Sequence, residues 1–528
     1  MTLSLRSSSR YSFSPMAVVT SLSGAFLSGV LLALAFPKID FSFLAWIAFV
    51  PLLWLVQEQT PRKAFGYGFA AGMGFYLGTV YWVVHTIGLY SNIPPLVAVG
   101  PLLLMCMILA SYTGAFAAGL RFYQQRKGSI AVFGPILWVT LEWLRSFFFI
   151  GFPWVKLGYS QYPHLNLMQV AEFTGIYGVS ALVIFVNLVI FTLLFSSSSR
   201  RWPLFLSLVV LIGGLYSWGM WRREQLAALP IAHKLRVGLI QGNIPQDTKW
   251  NPNFQEETMV RYEQLTRQAV AQGAEFIVWP ETAAPFYFQS SLPPHMPDRE
   301  KEEAYQERLL RLARELQTPI LFGSPAFTVD GQKVSMFNRA YLLSSTAEVL
   351  SSYDKIQLVP FGEYVPFHSL LFFLDKLVVG IGDFAAGTTT TVFTLPQTKF
   401  GVLICYEGIF PALTRQFVAQ GAEMLVNITN DAWFGRTSAP YQHLVMEAVR
   451  TIENRVPLIR AANTGFSAVV GIDGQIHNRT NLYETTILVE DLSWPQVRSF
   501  YSRYGDVFVW FCVVSTGLML GYSWVKQR

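Results

Sequence analysis

The stretch GVLICYEGIF, residues 401–410, carries an apolar strand-like run into a cysteine, a tyrosine and a glutamate before the chain turns towards a helical pattern. The sequence has 528 residues and three cysteines. Cys106 and Cys512 lie inside long hydrophobic runs, where a thiol serves as a small apolar side chain. Cys405 is the only cysteine in a segment of ordinary polarity, so its place at a strand end calls for another explanation.

Working outward from Cys405, short apolar runs alternate with helical patterns. The strand candidates are LRVGLIQGN from 235, AEFIVWPE from 274, PILFGSPAF from 319, RAYLLSS from 339, KFGVLICYE from 399, AEMLVNITND from 422 and VPLIRAANTGFSAVVGIDGQI from 456. The helix candidates are FQEETMVRYEQLTRQAVAQG from 254, AYQERLLRLARELQ from 304 and YQHLVMEAVRTIENR from 441. In the second, Tyr305, Leu309, Leu312, Ala313 and Leu316 recur at helical spacing and define one apolar stripe. The alternation predicts a layered α/β domain.

The chain as a whole is too apolar for a soluble protein: 52% hydrophobic, 15% aromatic and 14% charged, with mean hydropathy +0.36. Apolar stretches near 16–36, 41–56, 64–85, 95–120, 130–150, 170–195, 203–221 and 505–525 predict about eight transmembrane helices. The expected organisation is therefore a membrane domain at 1–221, an α/β domain at 222–504 and a closing helix at 505–528. The basic, then apolar, N-terminus resembles a signal peptide, but further spans follow at once and an uncleaved first helix is expected. The net charge of +6 comes without a recognition motif or a basic face, which argues against nucleic-acid binding.

Lys and Arg flanking the spans set the orientation. Arg6, Arg10, Arg62, Lys63, Arg121, Arg126, Lys127, Arg200, Arg201, Lys526 and Arg528 fall on one side, which is taken as cytoplasmic. Lys38, Arg145 and Lys156 fall opposite, with Arg222 and Arg223 as an exception just beyond the seventh span. Residues 222–504 then lie outside the cytoplasm. In a bacterial cell that compartment is oxidising, and Cys405 has no nearby cysteine for a structural disulfide, so a reactive thiol is the sharper expectation.

Three polar residues follow apolar runs: Glu281 after FIVWP, Lys355 in SSYDKIQLVPFGEYVP and Cys405 after GVLI. Strand ends are where open α/β sheets build sites. A thiol is mostly protonated at neutral pH and needs a base and a cation beside it to act as a nucleophile. Glu281 is the candidate base and Lys355 the candidate cation. If FPALTRQFVAQG starts a helix just after Cys405, its N-terminal dipole would add to the effect. Taken singly, each is more simply read as structural: Cys405 as buried core, Glu281 as a strand-end surface carboxylate and Lys355 as a solvated loop charge. His443 is expected to pack or cap rather than ligate. No metal-ligand spacing, dinucleotide fingerprint or phosphate loop is present, and no metal or cofactor is expected.

Glu142 and Arg145 share one helical face near the outer end of the fifth span, where ionisable groups are costly; a mutual ion pair or a functional role is expected there. The loop 147–162 is rich in Phe, Tyr, Trp and Gly, as suits an interfacial aromatic belt or the rim of a lipid path.

WPET at 279, YDKIQLVPFGEYVP at 353, GVLICYEGIFP at 401 and NDAWFG at 430 together resemble the nitrilase superfamily, and within it the membrane-bound branch of bacterial apolipoprotein N-acyltransferases. IQGNIPQDTKW at 240, GFPWVKLGYSQ at 151 and the plan of seven spans, outer domain and last span extend the resemblance over nearly the whole chain. It implies a nitrilase-like αββα sandwich on the periplasmic side of a multi-pass bacterial inner-membrane protein. The implied enzyme moves a fatty acyl chain from a phospholipid, usually phosphatidylethanolamine, to the N-terminal α-amine of the diacylglyceryl-cysteine of an apolipoprotein. By the same resemblance Cys405 is the nucleophile, Glu281 the base and later acid, and Lys355 the stabilising cation. Glu363 matches an assisting glutamate, Tyr406 and Glu407 match residues flanking the nucleophile, and Trp250 and Trp433 match tryptophans on loops around the site. The same triad would also suit a membrane-anchored amidase using water, though eight spans fit a water-soluble substrate poorly. A non-catalytic scaffold is a further alternative, disfavoured by the intact triad.

Overall fold

The computed structural model describes residues 15–90, 94–148, 151–196, 201–249, 251–288, 298–330, 333–364 and 384–525. Among these, long apolar helices occupy seven of the eight expected spans: Pro15–Ala33, Pro61–Val80, Pro95–Gln125, Ile130–Leu144, Ile176–Phe195, Arg201–Ala227 and Val507–Val525. Four are long and apolar enough to cross a bilayer, namely Leu96–Gln125, Ile176–Phe195, Arg201–Ala227 and Val507–Val525. The second expected span departs from the pattern. It is a 3₁₀ turn, Ser42–Trp46, followed by the 7-residue helix Val50–Val56, whose first turn holds Pro51 and so lacks an N–H donor there. The sixth breaks at Gly175, whose φ of +61° is open to glycine, and resumes as Ile176–Phe195. The first and third helices touch through glycine: a Cβ on Gly29 would lie 1.8 Å from the Ala71 carbonyl oxygen.

The α/β domain holds two six-stranded sheets. Its strands are β1 His233–Gln241, β2 Phe276–Val278, β3 Ile320–Asp330, β4 Lys333–Leu343, β5 Val349–Asp354, β6 Val392–Thr394, β7 Lys399–Ile404, β8 Met424–Thr429, β9 Leu458–Ala462, β10 Ala468–Val470, β11 Ile476–Arg479 and β12 Thr486–Trp494. The first sheet runs β12-β1-β2-β3-β4-β5 and the second β11-β10-β9-β8-β7-β6. Both have a parallel centre, β1-β2-β3 and β7-β8-β9, flanked by antiparallel pairs.

The two-residue period of the strands separates the layers. Leu235, Val237 and Leu239 of β1 enter a core shared with Val402, Ile404, Val426, Ile428 and Leu458 of the facing sheet. Ile240 instead joins the outer layer formed by helices Gln255–Ala271 and Arg299–Leu316, which contribute Met259, Tyr262, Leu265, Tyr305, Leu309, Leu312 and Ala313. Helices Pro411–Ala419 and Ala439–Asn454 cover the second sheet. The result is the expected αββα sandwich.

Helix Ala439–Asn454 is the joint between the two parts of the molecule, and all its residues but Tyr441 are buried. Ala448 faces the sheets, whereas Val445, Met446, Val449 and Ile452 join the core of the membrane helices. Gln442 pins this seam with one amide. Its Oε1 accepts from the indole N–H groups of Trp154 (2.7 Å) and Trp82 (3.3 Å), and its Nε2 donates to the carbonyls of Thr79 (3.0 Å) and Pro37 (3.2 Å).

Arg222 and Arg223, the exception to the charge asymmetry, are both engaged in pairs. Arg222 pairs with Glu172 at 2.5 Å, a carboxylate it shares with Arg455 (2.7 Å), and Arg223 pairs with Asp473 at 2.8 Å. Glu142 and Arg145 hold the following loop instead of each other. Glu142 Oε1 accepts from the Leu157 N–H (2.7 Å) and the Trp138 indole (3.2 Å), and Arg145 donates to the Trp154 carbonyl (3.0 Å). Within that loop Phe147 and Phe148 are exposed, while Trp154, Lys156, Leu157 and Tyr159 are buried beneath the joint helix.

Candidate active site

Glu281 lies just past β2, Lys355 just past β5 and Cys405 just past β7, so both sheets deliver a residue to the same end of the sandwich. The turns there are tight. Thr282, Phe361 and Cys405 have φ values of +46°, +61° and +53°, in the left-handed region that side chains avoid. Such outliers gather where the surrounding structure holds a residue in place for a task. Gly323 on β3 makes room for the first of these turns, since a Cβ there would lie 2.4 Å from the Thr282 nitrogen.

Lys355 is 1% exposed and its ammonium bridges two carboxylates, Glu363 Oε1 at 2.9 Å and Glu281 Oε1 at 3.3 Å. Burial alone would lower its pKa, but Glu363, Glu281 and the thiol outweigh burial and hold it charged well above the usual lysine range. Glu281 is oriented at both oxygens: Oε1 accepts from Asn338 Nδ2 (2.7 Å) and Oε2 from the Asn430 N–H (3.0 Å). Glu363 Oε2 accepts from the Val359 N–H at 2.8 Å, which fixes it within its own loop.

Cys405 is buried and free of any disulfide. Burial first, then the charges of Glu281 and Asp431, push its thiol far above the ordinary range, while Lys355 pulls it down. The resting group is therefore the thiol, and for it to act as a nucleophile a base would have to take its proton. The segment FPALTRQFVAQG does form a helix, Pro411–Ala419, which a 3₁₀ turn, Cys405–Ile409, separates from the nucleophile candidate.

Glu407, inside that turn, fastens the two halves of the site. Its Oε2 accepts from the Ile404 N–H (2.7 Å), and its Oε1 accepts from the N–H groups of Ile356 (2.7 Å) and Gln357 (3.1 Å) and from the Tyr353 hydroxyl (2.7 Å). The strand end bearing Lys355 is thus tied to the turn bearing Cys405. Burial raises this carboxyl to about 7 against the lowering effect of its donors. Tyr406 is buried and its ring lies parallel to that of Trp154, with centroids 6.4 Å apart and planes at 16°. Trp433 is half-buried, and its carbonyl accepts from the Thr86 hydroxyl of the membrane domain at 3.0 Å. Trp250 lies outside the described residues.

Beneath the thiol is a second charged cluster. Arg460 donates to Asp431 Oδ2 (2.6 Å) and pairs with Glu447 Oε1 (2.5 Å), and His443 lies between Asp431 (3.1 Å) and Glu447 (2.9 Å). His443 is therefore part of a buried ion network and neither caps its helix nor serves as plain packing. Of Asn338, Asn430 and this cluster, the sequence singled out His443 alone, as a packing or capping residue; Asn430 and Asp431 lie in the quoted NDAWFG, whereas Asn338 gives no local signal.

Residues 28–189 match the family described as the apolipoprotein N-acyltransferase N-terminal domain, and residues 236–501 match the carbon-nitrogen hydrolase family. An apolipoprotein N-acyltransferase of Geobacter metallireducens is 45% identical over 95% of this chain and 95% of its own length. One of Haemophilus ducreyi is 31% identical over 94% of this chain and 95% of its own. Among solved structures, an amidase from Nesterenkonia sp. is similar at 23% identity and a TM-score of 0.38, covering 52% of this chain and 95% of that one. By the extent of these matches, the chain belongs to the apolipoprotein N-acyltransferase family.

Proposed function

We propose that this enzyme transfers a fatty acyl chain from a membrane phospholipid, phosphatidylethanolamine in the first instance, to the N-terminal α-amine of the diacylglyceryl-cysteine of apolipoproteins. The observation that carries the reading is the contact between a nitrilase-type thiol site and the membrane helices: Trp154, fastened by Gln442, stacks on Tyr406 beside the nucleophile. A water-soluble amide would need no such arrangement.

In the first half-reaction Glu281 takes the Cys405 proton as sulfur attacks the ester carbonyl, and Lys355 faces the negative charge that develops. Collapse breaks the ester C–O bond, and the leaving lysophospholipid oxygen receives the proton from Glu281. In the second, the free-base α-amine attacks the thioester, Glu281 accepts its proton and returns it to the departing sulfur. An amide is more stable than a thioester, so no nucleotide is needed. The organisation that goes with this chemistry is a bacterial inner-membrane protein with membrane domain 1–221, a periplasmic domain 222–504 and a closing helix 505–528. Glu363 and Glu407 support the triad, and Trp250 and Trp433 border the substrates.

The test is order of events. Given phospholipid alone, the enzyme should release about one equivalent of lysophospholipid and stop, with an acyl adduct on Cys405 by intact mass. A diacylated lipopeptide with a free α-amine should restart release, and its N-acetylated form should not. Continuous free fatty acid without acceptor would mean that water reaches the thioester and would replace transfer with hydrolysis.

A further inference from the structure

Lys249 stands in the quoted segment IQGNIPQDTKW, yet neither the triad nor its supporting glutamates account for it. It ends the short helix Gln246–Lys249, is 3% exposed, and its ammonium donates to the main-chain carbonyl of Glu281 at 2.9 Å. Its segment is held to the strand ends by amides. Asn430 Nδ2 donates to Gln246 Oε1 (2.6 Å), and Asn463 accepts from the Ile244 N–H (2.8 Å) and donates to the Ile244 carbonyl (2.7 Å). Asn430 is also the residue whose N–H holds Glu281 Oε2 at 3.0 Å. One amide chain thus fixes Lys249 and the candidate base together.

Charge balance gives this placement its meaning. Around the thiol, Glu281 and Glu363 set two negative charges against the single positive charge of Lys355. Passing the thiol proton to Glu281 only moves that excess onto the sulfur, or onto an oxyanion formed from it, so the group keeps one uncompensated negative charge unless a second cation is present. The neighbouring cluster gives its carboxylates more partners, setting Asp431 and Glu447 against Arg460 with His443 between them. Lys249 interacts with the charges of both Glu281 and Cys405, and burial pulls its own pKa down to about 8 while those two anions oppose the fall.

We infer that Lys249 is a positioning residue of the acyl-transfer site, a second buried cation that fixes the Glu281 turn through its carbonyl and offsets the negative charge developing at Cys405. The inference rests on Cys405 being the nucleophile. Its effect reaches the sulfur through space and through Glu281, so both half-reactions feel it. Methionine in its place would fill the volume and remove the charge, and arginine would restore it.

The test uses full-length enzyme in detergent. Iodoacetamide alkylation of Cys405 is followed against pH by peptide mass in wild type, Lys249→Met and Lys249→Arg, with turnover measured beside it. In Lys249→Met the alkylation midpoint should rise by about one pH unit and kcat fall about 10- to 100-fold, with donor KM within about twofold. Lys249→Arg should bring the midpoint back. A merely structural lysine would change stability without moving the midpoint, and superimposed profiles for wild type and Lys249→Met would overturn the inference. If Lys249→Met does not fold, Lys249→Gln takes its place in the same comparison. Wild type that still transfers acyl chains after full alkylation of Cys405 would instead remove the nucleophile assignment beneath it.

Discussion

Two buried charge clusters lie one layer apart and are built for different ends. Around Cys405, the carboxylates of Glu281 and Glu363 share Lys355, and the atom they surround is an uncharged thiol. Around Arg460, every charge is spent on another: Asp431 and Glu447 on Arg460 and His443. Burial keeps His443 from charging, but Glu447 and Asp431 outweigh it and raise its pKa, and Arg460 and His443 hold Asp431 well below the usual carboxylate range despite burial. A cluster closed on itself stabilises a fold, whereas one arranged about an unionised nucleophile stores a capacity to stabilise charge that does not yet exist. The contrast separates residues whose loss stops chemistry from those whose loss unfolds the domain.

The largest effect should come from the reactive cluster and leave the fold alone. Cys405→Ala removes one sulfur at a strand end whose turn is held by Glu407, so acyl transfer should vanish while the thermal midpoint of the detergent-solubilised protein moves by only a few degrees. Measurable turnover in that variant would break the comparison at its root. Arg460→Met should do the reverse. It leaves the buried carboxylates of Asp431 and Glu447 with only His443 between them, with an expected destabilisation of about 3–5 kcal/mol. Seen by thermal unfolding, a loss below about 1 kcal/mol would mean that water or relaxation compensates and that the closed cluster is not what stabilises this layer.

The reactive cluster was the more legible of the two, for a physical reason. Glu281 and Cys405 each follow an apolar run, and a polar residue at the end of a buried strand is conspicuous in one dimension, whereas Lys355 follows SSYD on an edge strand and is marked by the motif around it. Asp431, His443, Glu447 and Arg460 meet only because β8 pairs with β9 and the joint helix packs across them; Arg460 and Asp431 are 29 positions apart. Apart from Asp431, which lies within NDAWFG, nothing local marks them as a cluster. Lys249 stood inside a recognised segment, but its tie to the Glu281 carbonyl depends on backbone geometry that no spacing encodes.

The same distinction runs through the fold. The central strands read as apolar runs because both faces are buried, whereas β5, β6 and β12 were passed over. β5 and β6 are edge strands with mixed exposure, and β6 is only 3 residues long. β12, also an edge, exposes the alternate positions Asp491 and Ser493 while Leu492 and Trp494 are buried. The bundle was legible by hydropathy, but the break at Gly175 and the short second segment depend on single backbone positions.

The smallest effect is also the finest probe of the boundary between the clusters, because Glu407 belongs to neither. It pairs with no cation and instead gathers N–H and O–H donors from both sides of the nucleophile turn, and burial raises its pKa from 4.5 to about 7. A carboxyl raised on folding stabilises the folded state fully at pH values below its unfolded pKa, and that contribution fades as pH climbs through the folded one. Asp431 works with the opposite sign: its depressed pKa gives stability that is present above the ordinary Asp value and lost as pH falls through the folded one. The thermal midpoint of Cys405→Ala, chosen so that thiol chemistry does not intrude, should therefore decline gently between about pH 4.5 and 7 and drop more steeply in stronger acid. Adding Glu407→Gln should flatten the gentle limb, because the amide does not titrate, while lowering the whole curve: one carboxylate oxygen becomes an N–H₂ group facing a backbone donor. A gentle limb that survives this substitution would assign the titration to another buried group and leave Glu407 a purely geometric clasp between Lys355 and Cys405.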